Sequence, residues 1–389
     1  MIKKNVVILG STGSIGKKTI NIIRKNKNLF SIKLLSTNSN ISLIYKQAKE
    51  FKVKNIIITN YSKYLLARKL FRLKKLSIFN NFYEINSILK KNKIEYSMVA
   101  IMGIDGLKPS IDLIKHSKNI AIVNKESLIC GWPLIKKELK KFNTNFIPID
   151  SEHFSIFTLL DKIDERNSCK IYITASGGPF LNLPIKDFKK INITKALKHP
   201  NWKMGKKITI DSASLMNKVF EIIEAKNIFN LSYKNISILT HPSSYVHAIV
   251  MLKNGLIKFC AHKPNMDIPI YNSLNNTNLK PMKKNVLEIN LLNDLNFQKV
   301  NSKKFPLINL LKKLPQQSSL YETVLVTVND FFVYKFLEKK ISFNRMVSLI
   351  ETCSNLKQFT KYKNRRIKNL KDIYKLRDYV SFKLSKLSI

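Results

Sequence analysis

The chain has 389 residues, of which 69 are Lys or Arg and 25 are Asp or Glu, giving a formal net charge of +44; 44% of it is apolar and 10% aromatic. That apolar share excludes a disordered chain, and the length points to two or three domains rather than one. With 10 Gly, 12 Pro and no short period, collagen-like and low-complexity classes fall away too, and no apolar run approaches the roughly 18 residues of a membrane span.

Read in chain order, Met1-Ile2-Lys3-Lys4 runs at once into a strand pattern, leaving no room for a signal or transit sequence, so the expected location is cytoplasmic. The first 150 residues alternate short β-branched runs with amphipathic stretches. This predicts strands over 6–9, 32–35, 56–58, 98–101, 120–123 and 146–149 with helices between them, an α/β arrangement with an N-terminal Rossmann-like parallel sheet over 1–150. Beyond residue 169 the pattern changes. A strand over 171–174, a loop holding Gly177, Gly178, Pro179, Pro184 and Pro200, a helix over 214–229, and strands over 236–239, 248–252 and 257–261 predict a central α+β domain spanning 151–275. Residues 276–304, rich in Asn, Lys and Leu with weak periodicity, read as a linker. Helical spacing without alternation over 305–389 predicts a small C-terminal helical domain. The four cysteines, Cys130, Cys169, Cys260 and Cys353, are far apart and form no C-x-x-C pair, which speaks against a disulfide framework or a thiolate zinc site.

A charge of +44 invites a nucleic-acid or membrane-surface reading. Only eight of the 69 basic residues are Arg, however, and Lys is scattered through every segment. Recognition of bases and phosphates favours the Arg fork, so a solvated Lys-rich surface is expected, with neither nucleic acid nor membrane as partner.

Glycine is scarce, which makes its placement informative. Gly10, Gly13 and Gly16 fall within seven residues directly after the first predicted strand, in Gly10-Ser11-Thr12-Gly13-Ser14-Ile15-Gly16. This is a G-x-x-G-x-x-G variant of the dinucleotide fingerprint in its strand-turn-helix context, where side-chain-free turns let backbone N–H groups and a helix N-terminus approach a pyrophosphate. After the second strand, where a carboxylate would select a free ribose 2′-hydroxyl, stands the neutral run Ser36-Thr37-Asn38-Ser39-Asn40, which favours NADP over NAD. Acidic residues are rare, so Asp150-Ser151-Glu152 stands out. In an extended chain alternate residues point the same way, and the two carboxylates could face one ion, with Mg²⁺ or Mn²⁺ suited to oxygen ligands. A third carboxylate lies on the helix after Ser214, where Asn217, Lys218 and Glu221 share a face at spacings of four and three. A solvated pair or a helix cap explains Asp-x-Glu equally well, as a surface pair explains Lys125-Glu126. Residues 176–205, with glycines near both ends and Trp202, one of two tryptophans, fit a lid that covers a ligand and excludes water.

These strings resemble the 1-deoxy-D-xylulose 5-phosphate reductoisomerase family. The matching residues are Gly10 to Gly16, Asn124-Lys125-Glu126-Ser127, Pro148 to His153, Ser176-Gly177-Gly178-Pro179-Phe180, His199 to Ile208, Asp211 to Lys218 with Glu221, and His241 to His247, in the family's order. The resemblance implies an NADPH-dependent, divalent-metal-dependent rearrangement and reduction of 1-deoxy-D-xylulose 5-phosphate to 2-C-methyl-D-erythritol 4-phosphate by a homodimer. It further implies that Thr12, Gly13, Ser14 and Ile15 hold the NADPH pyrophosphate, Asn38, Ser39 and Asn40 the adenosine ribose end, and Asn124, Glu126 and Gly205 the nicotinamide side. Asp150, Glu152 and Glu221 would ligate Mg²⁺ or Mn²⁺. Lys125, Ser151, Asn217 and Lys218 would contact the substrate's backbone oxygens, and Ser176, His199 and Ser212, with Asn217 and Lys218, would gather around its phosphate. Lys125, Glu152 and His199 would be the catalytic residues, with Glu152 and Glu221 also facing the substrate. Three places depart from the family pattern: Ser39 stands where a basic residue is common, Val219 where Gly usually follows the Asn-Lys pair, and Asn265-Met266-Asp267 where a more acidic-first version is usual. Two rivals remain at this stage, a semialdehyde-type dehydrogenase, which needs a nucleophilic Cys beside a base, and a basic nucleotide-binding module without catalysis.

Overall fold

The computed structural model describes residues 2–71, 76–90, 94–160, 168–274, 279–282, 287 and 289–387. The chain divides into two compact units: Met1–Leu128, Leu134–Asp150 and Met266–Val286 form the first, and Ile129–Pro133, Ser151–Asn265 and Leu287–Ile389 the second.

The first unit is built on a seven-stranded parallel sheet. Its strands are β1 (Lys4–Leu9), β2 (Phe30–Thr37), β3 (Asn55–Ile58), β4 (Ser77–Phe79), β5 (Ile94–Val99), β6 (Ser117–Ile122) and β7 (Asn145–Ile147), in the order β4-β3-β2-β1-β5-β6-β7. Val6 to Leu9, Leu34, Leu35, Ile56 to Ile58, Met98 and Val99 are fully buried, as expected of strands covered on both faces, and this is why they read as unbroken apolar runs. The chain steps outward from β1 to β4 and then returns to the other side of β1 at β5. The carboxyl end of β1 therefore lies at the point where the winding reverses, the place where open α/β sheets bind ligands. Helix α1 (Ser14–Lys25) follows β1 and buries Gly16, Thr19, Ile20 and Ile23. Helix α2 (Ile41–Phe51) follows β2, and α3 (Lys125–Phe142) follows β6.

The second unit carries a mixed five-stranded sheet of β8 (Ser168–Ala175), β9 (Ile236–Thr240), β10 (Val246–Leu252), β11 (Ile257–Ala261) and β12 (Gln298–Lys299), ordered β11-β10-β8-β9-β12. Only β8 and β9 run parallel. Helices α4 (Ser151–Leu159), α5 (Lys206–Ala213) and α6 (Met216–Ile228) belong to this unit, as do α7 (Tyr321–Leu337), α8 (Phe343–Ser354) and α9 (Leu370–Ser385). Ile156 of α4, Ile171 and Ile173 of β8, Ile222 and Ala225 of α6 and Val250 of β10 share one core cluster. Helix α7, buried from Tyr321 to Asn329, packs against α8 and α9.

Three differences from the sequence reading have simple causes. Strand β4 escapes it because three partly exposed residues at a sheet edge carry no apolar run. Within the expected linker, Gln298–Lys299 pairs with β9, a two-residue strand with both side chains exposed; residues 276–278, 283–286 and 288 of that stretch lie outside the described residues. Strand β7 stops at Ile147 rather than 149, since Pro148 has no N–H to give the ladder. No helix among the described residues is long and apolar enough to cross a membrane.

Candidate active site

At the end of β1 the glycines are required by contact. Gly10 has φ +80°, and a Cβ there would run into the carbonyl of Ala100; one at Gly16 would run into the backbone of Gly10 and Ser11. The turn is anchored to its neighbours. Gly10 N donates to Ser36 Oγ at 2.8 Å, Ser11 Oγ donates to Gln47 Oε1 at 2.7 Å while Gln47 Nε2 donates back to Ser11 O at 3.1 Å, and the Thr12 and Thr37 hydroxyls are 2.6 Å apart. Helix α1 starts at Ser14 with Gly13 as its N-cap and, among the described residues, no side-chain cap, which leaves a backbone cradle suited to an anion. Thr12 to Ile15 are partly or fully exposed on this turn.

Asn38, Ser39 and Asn40 are exposed after β2. Asn38 Nδ2 donates to Thr59 Oγ1 at 3.1 Å, and Asn40 Oδ1 accepts from Leu43 N at 3.1 Å as the cap of α2. Asn124 is committed on both sides: its amide donates to the carbonyls of Ile101 and Gly103, and its Oδ1 accepts from Ser127 N at 2.9 Å, starting α3. Glu126 lies in the first turn of α3. In the second unit, Gly205 caps α5 with no atom within 4 Å of the position a Cβ would take.

The carboxylates converge, though not as an extended strand would bring them. Glu152 falls in the first turn of α4, directly after the break at Pro148, so the helix start rather than strand alternation sets its direction. In the second unit Glu152 and Glu221 are drawn to one buried place on either side of Lys218, while Asp150 closes the first unit one residue before α4 begins. Lys125 Nζ donates to Asp150 Oδ2 at 2.9 Å. The buried Lys218 ammonium donates to Glu152 and, at 2.6 Å, to Glu221 Oε2, while the Asn217 amide donates to the other Glu221 oxygen. Ser151 Oγ donates to Glu152 Oε2 at 2.6 Å. Burial works against the Lys218 charge, but Glu152 and Glu221 outweigh it and hold the ammonium above its ordinary value. A lysine drawn in between two buried carboxylates marks a place that accepts positive charge. Hard carboxylate oxygens gathered in this way suit a divalent ion of the Mg²⁺ or Mn²⁺ kind.

Close by in the same unit, the structure brings together three residues that lie far apart in sequence. His199 Nε2 is 3.1 Å from both Ser176 Oγ and Ser212 Oγ, and Ser176 Oγ accepts from Gly178 N at 3.1 Å. His199 Nδ1 accepts from Asn201 N at 3.2 Å and Trp202 N at 2.9 Å, which leaves the ring proton on Nε2, facing the serines. Burial, and then the nearby Lys218 charge, lower its pKa to about 4.

The sequence carries no signal for Gln47, which braces the glycine turn, and Ser36 and His153 stand in it only as members of longer strings; in the structure Ser36 Oγ accepts from Gly10 N, and His153 Nε2 lies 2.9 Å from the Glu221 carbonyl. His262 is likewise unmarked, and His247 stands only at the end of the string from His241, though the two rings form a pair. One signal was available: five of the six histidines lie between residues 153 and 262.

The fold and the site define a nucleotide-dependent α/β enzyme that handles an anionic small molecule at an acidic, cation-accepting centre. Residues 6–131 match the family described as 1-deoxy-D-xylulose 5-phosphate reductoisomerase, residues 146–229 the C-terminal domain of that enzyme, and residues 262–380 the DXP reductoisomerase C-terminal domain. The chain is 52% identical to the 1-deoxy-D-xylulose 5-phosphate reductoisomerase of Pelagibacter ubique (strain HTCC1062), covering 99% of this chain and 100% of that protein. It is 38% identical to that of Wolbachia pipientis wMel, covering 97% and 96%. Among solved structures it resembles the Zymomonas mobilis enzyme in complex with NADPH (TM-score 0.88, 26% identity, 99% and 98% covered). A DOX-P reductoisomerase in complex with NADPH, fosmidomycin and magnesium is similarly close (TM-score 0.89, 28% identity, 98% and 97% covered). The chain belongs to the 1-deoxy-D-xylulose 5-phosphate reductoisomerase family.

Proposed function

We propose that this protein converts 1-deoxy-D-xylulose 5-phosphate and NADPH to 2-C-methyl-D-erythritol 4-phosphate and NADP⁺, and that it does so with Mg²⁺ or Mn²⁺ held by Asp150, Glu152 and Glu221. The observation that carries this reading is the buried Lys218 ammonium held between the Glu152 and Glu221 carboxylates, a place built to accept positive charge. When bound, the divalent ion supplies Lewis-acid polarisation of the substrate's ketone and neighbouring hydroxyl, and the nicotinamide supplies hydride.

The chain's own residues do the rest. The Gly13 turn and the start of α1 hold the pyrophosphate by backbone N–H groups, with Thr12, Ser14 and Ile15 lining the approach. Asn124 fixes the start of α3, and with it Lys125 and Glu126. Its amide is spent on backbone carbonyls, so its contribution at the nicotinamide side is positioning. Lys125, Ser151, Asn217 and Lys218 present donors to the substrate's hydroxyl and ketone oxygens. Ser176, His199 and Ser212 receive the phosphate: neutral His199 donates through Nε2, and the two hydroxyls donate beside it. Residues 176–205 close as a lid, with Trp202 and Met204 over the reacting groups, which excludes water from the rearranging skeleton.

In domain terms, 1–150 serve NADPH, 151–275 serve catalysis and dimerisation, 276–304 connect, and 305–389 form the C-terminal helical part. The protein acts in the cytoplasm as a homodimer. Supporting self-association, β11 is an edge strand with Ile257 and Phe259 exposed and Leu256 exposed just before it, the kind of edge proteins pair or cover; sedimentation as a monomer at micromolar concentration would refute it. For the activity, NADPH absorbance at 340 nm is followed with the pure protein, Mg²⁺ and 1-deoxy-D-xylulose 5-phosphate. Consumption that needs all three components is expected. Oxidation without the sugar phosphate, or none with it, defeats the reading.

A further inference from the structure

Trp202, His247, His262 and Phe154 form a column of rings inside the second unit. Trp202 meets His247 edge-on at 6.0 Å between centroids and 72° between planes. His247 stacks on His262 at 3.9 Å and 23°, and His262 meets the edge of Phe154 at 6.3 Å and 61°. The column starts on the segment 176–205 and ends on α4, two residues after Glu152.

Its members have few other ways to move. Asn201 and Trp202 share His199 Nδ1 through their backbone N–H groups, and the Asn201 amide donates to Pro242 O at 2.6 Å and Ser244 Oγ at 3.0 Å, which pins the base of the Trp202 loop. His247 Nε2 lies 3.0 Å from the His262 carbonyl, and His262 Nδ1 lies 2.9 Å from the Lys263 carbonyl, so each ring spends its proton on backbone. Both histidines are buried, at 2% and 7% exposure, and burial lowers both pKa values, so two neutral imidazoles lie face to face without repulsion. Phe154 lies on a helix held by Ser155 Oγ donating to Ser151 O at 2.7 Å, within the turn that carries Glu152.

We propose that His262 is a positioning residue. Its ring sets the height of His247 and, through it, of Trp202, and so ties the resting place of the lid tryptophan to the helix that carries Glu152. This rests on the reading of 176–205 as a lid over the sugar phosphate. Deleting the His262 ring leaves a gap one aromatic thick beneath His247, while the backbone carbonyl that His247 bonds stays in place. Trp202 then loses its backing, and substrate capture suffers more than the chemical step.

The test uses the full chain in a Trp132→Phe background, so that Trp202 is the one tryptophan reporting. In His262→Ala, acrylamide quenching of Trp202 is expected to rise at least twofold, the KM for 1-deoxy-D-xylulose 5-phosphate to rise about tenfold, and kcat and the KM for NADPH to stay within about twofold. His262→Phe, which restores a flat ring without the nitrogens, is expected to return both readouts close to the parent. Should Ala be too unstable to assay, His262→Leu against His262→Phe makes the same comparison. Quenching and KM that are unchanged in the ring-deleting variant, or the same in it and in the Phe variant, overturn the proposal. The quenching arm judges the column even if the parent fails to consume NADPH, an outcome that would count against the proposed reaction alone.

Discussion

On the proposed reading, the first unit would offer a ligand its backbone N–H groups at Gly13 and the start of α1, and the side chains around them, Ser11, Ser36, Gln47 and Thr37, hold the turn. The second unit would offer side chains, Glu152, Asn217, Lys218, Glu221, Ser176, His199 and Ser212, which the structure collects from three helices and the loops between β8 and α5. The difference is one of physical demand. A pyrophosphate needs many weak donors at fixed spacing, which a helix start supplies without side chains. A cation and a rearranging sugar phosphate need full charges held in a buried place, which is costly unless each charge has its partner.

If this contrast is right, the largest effect comes from removing a charge in the second unit. Glu221→Gln is expected to lower divalent-dependent kcat by about a thousandfold, in line with the several kcal/mol a bound metal contributes to transition-state charge. NADPH binding, followed by its fluorescence, should stay within about twofold. A variant that keeps near-normal rates with the metal chelated would remove Glu221 from the ligand set.

The first unit should answer to backbone changes instead. Gly16→Ala forces a methyl against the backbone of Gly10 and Ser11, where no flexible side chain can yield, and overpacking of this kind costs about 1–3 kcal/mol. NADPH affinity should fall by roughly tenfold or more. At Gly13 the added Cβ would sit 3.3 Å from Gly10 O, a closeness a small shift relieves, so Gly13→Ala should be milder. Equal losses for the two would mean that the turn is looser than its hydrogen bonds indicate.

Acid should divide the units again. Burial, with Lys218 second, lowers His199 to about 4, burial, with His262 second, lowers His247 to about 3, and His262 is lowered by burial as well; in the first unit the half-exposed His116 is shifted the same way. An unfolded chain takes up these protons near 6.5, and the folded chain does not. The stability they contribute is therefore complete above about pH 6.5 and is lost as pH falls toward 4 and 3. Glu322, in the same unit, is raised by burial to about 7 and works the other way, offsetting part of this loss, so between pH 7.5 and 4.5 the Tm should drop by roughly 3 °C or more. Hydrogen exchange should show β8 and β10 losing protection before β1 and β5; the reverse order would place the acid-sensitive groups in the wrong unit.

The contrast also explains what the sequence made legible. Buried parallel strands announce themselves as apolar runs, so β1, β2, β3, β5 and β6 are found to within a few residues. The glycine turn is legible because its parts are neighbours. Glu221 with Asn217 and Lys218 is legible for the same reason, since helix spacing alone puts them on one face. Asp150-Ser151-Glu152 drew attention through scarcity, but its geometry was misjudged, because the helix begins at Ser151. Ser176, His199 and Ser212 carry no local signal of one another; the loop and α5 bring them together, and only the family resemblance grouped them in advance. The His247 and His262 stack joins β10 to the residue after β11, a pairing that antiparallel register settles and single-sequence periodicity does not.

The smallest expected effect lies at the edge of the first unit, where the cofactor's 2′-phosphate would be read. Asn38 and Asn40 are partly spent, one on Thr59 and the other on capping α2, which leaves Ser39, exposed and neutral, as the uncommitted side chain of the three. Neutral donors tolerate a phosphate without pulling strongly on it, so NADPH should be preferred over NADH by a modest ratio. Ser39→Arg adds a fork that can bond the phosphate twice, and a charge-assisted hydrogen bond contributes about 1.5–3 kcal/mol, so the ratio of kcat/KM for NADPH to that for NADH should rise by roughly tenfold or more. The gain should shrink in high salt, because the new pair is solvent-exposed and screened. A ratio that stays flat after this substitution would mean that the 2′-phosphate lies elsewhere, and that the run after β2 shapes the turn without reading the cofactor.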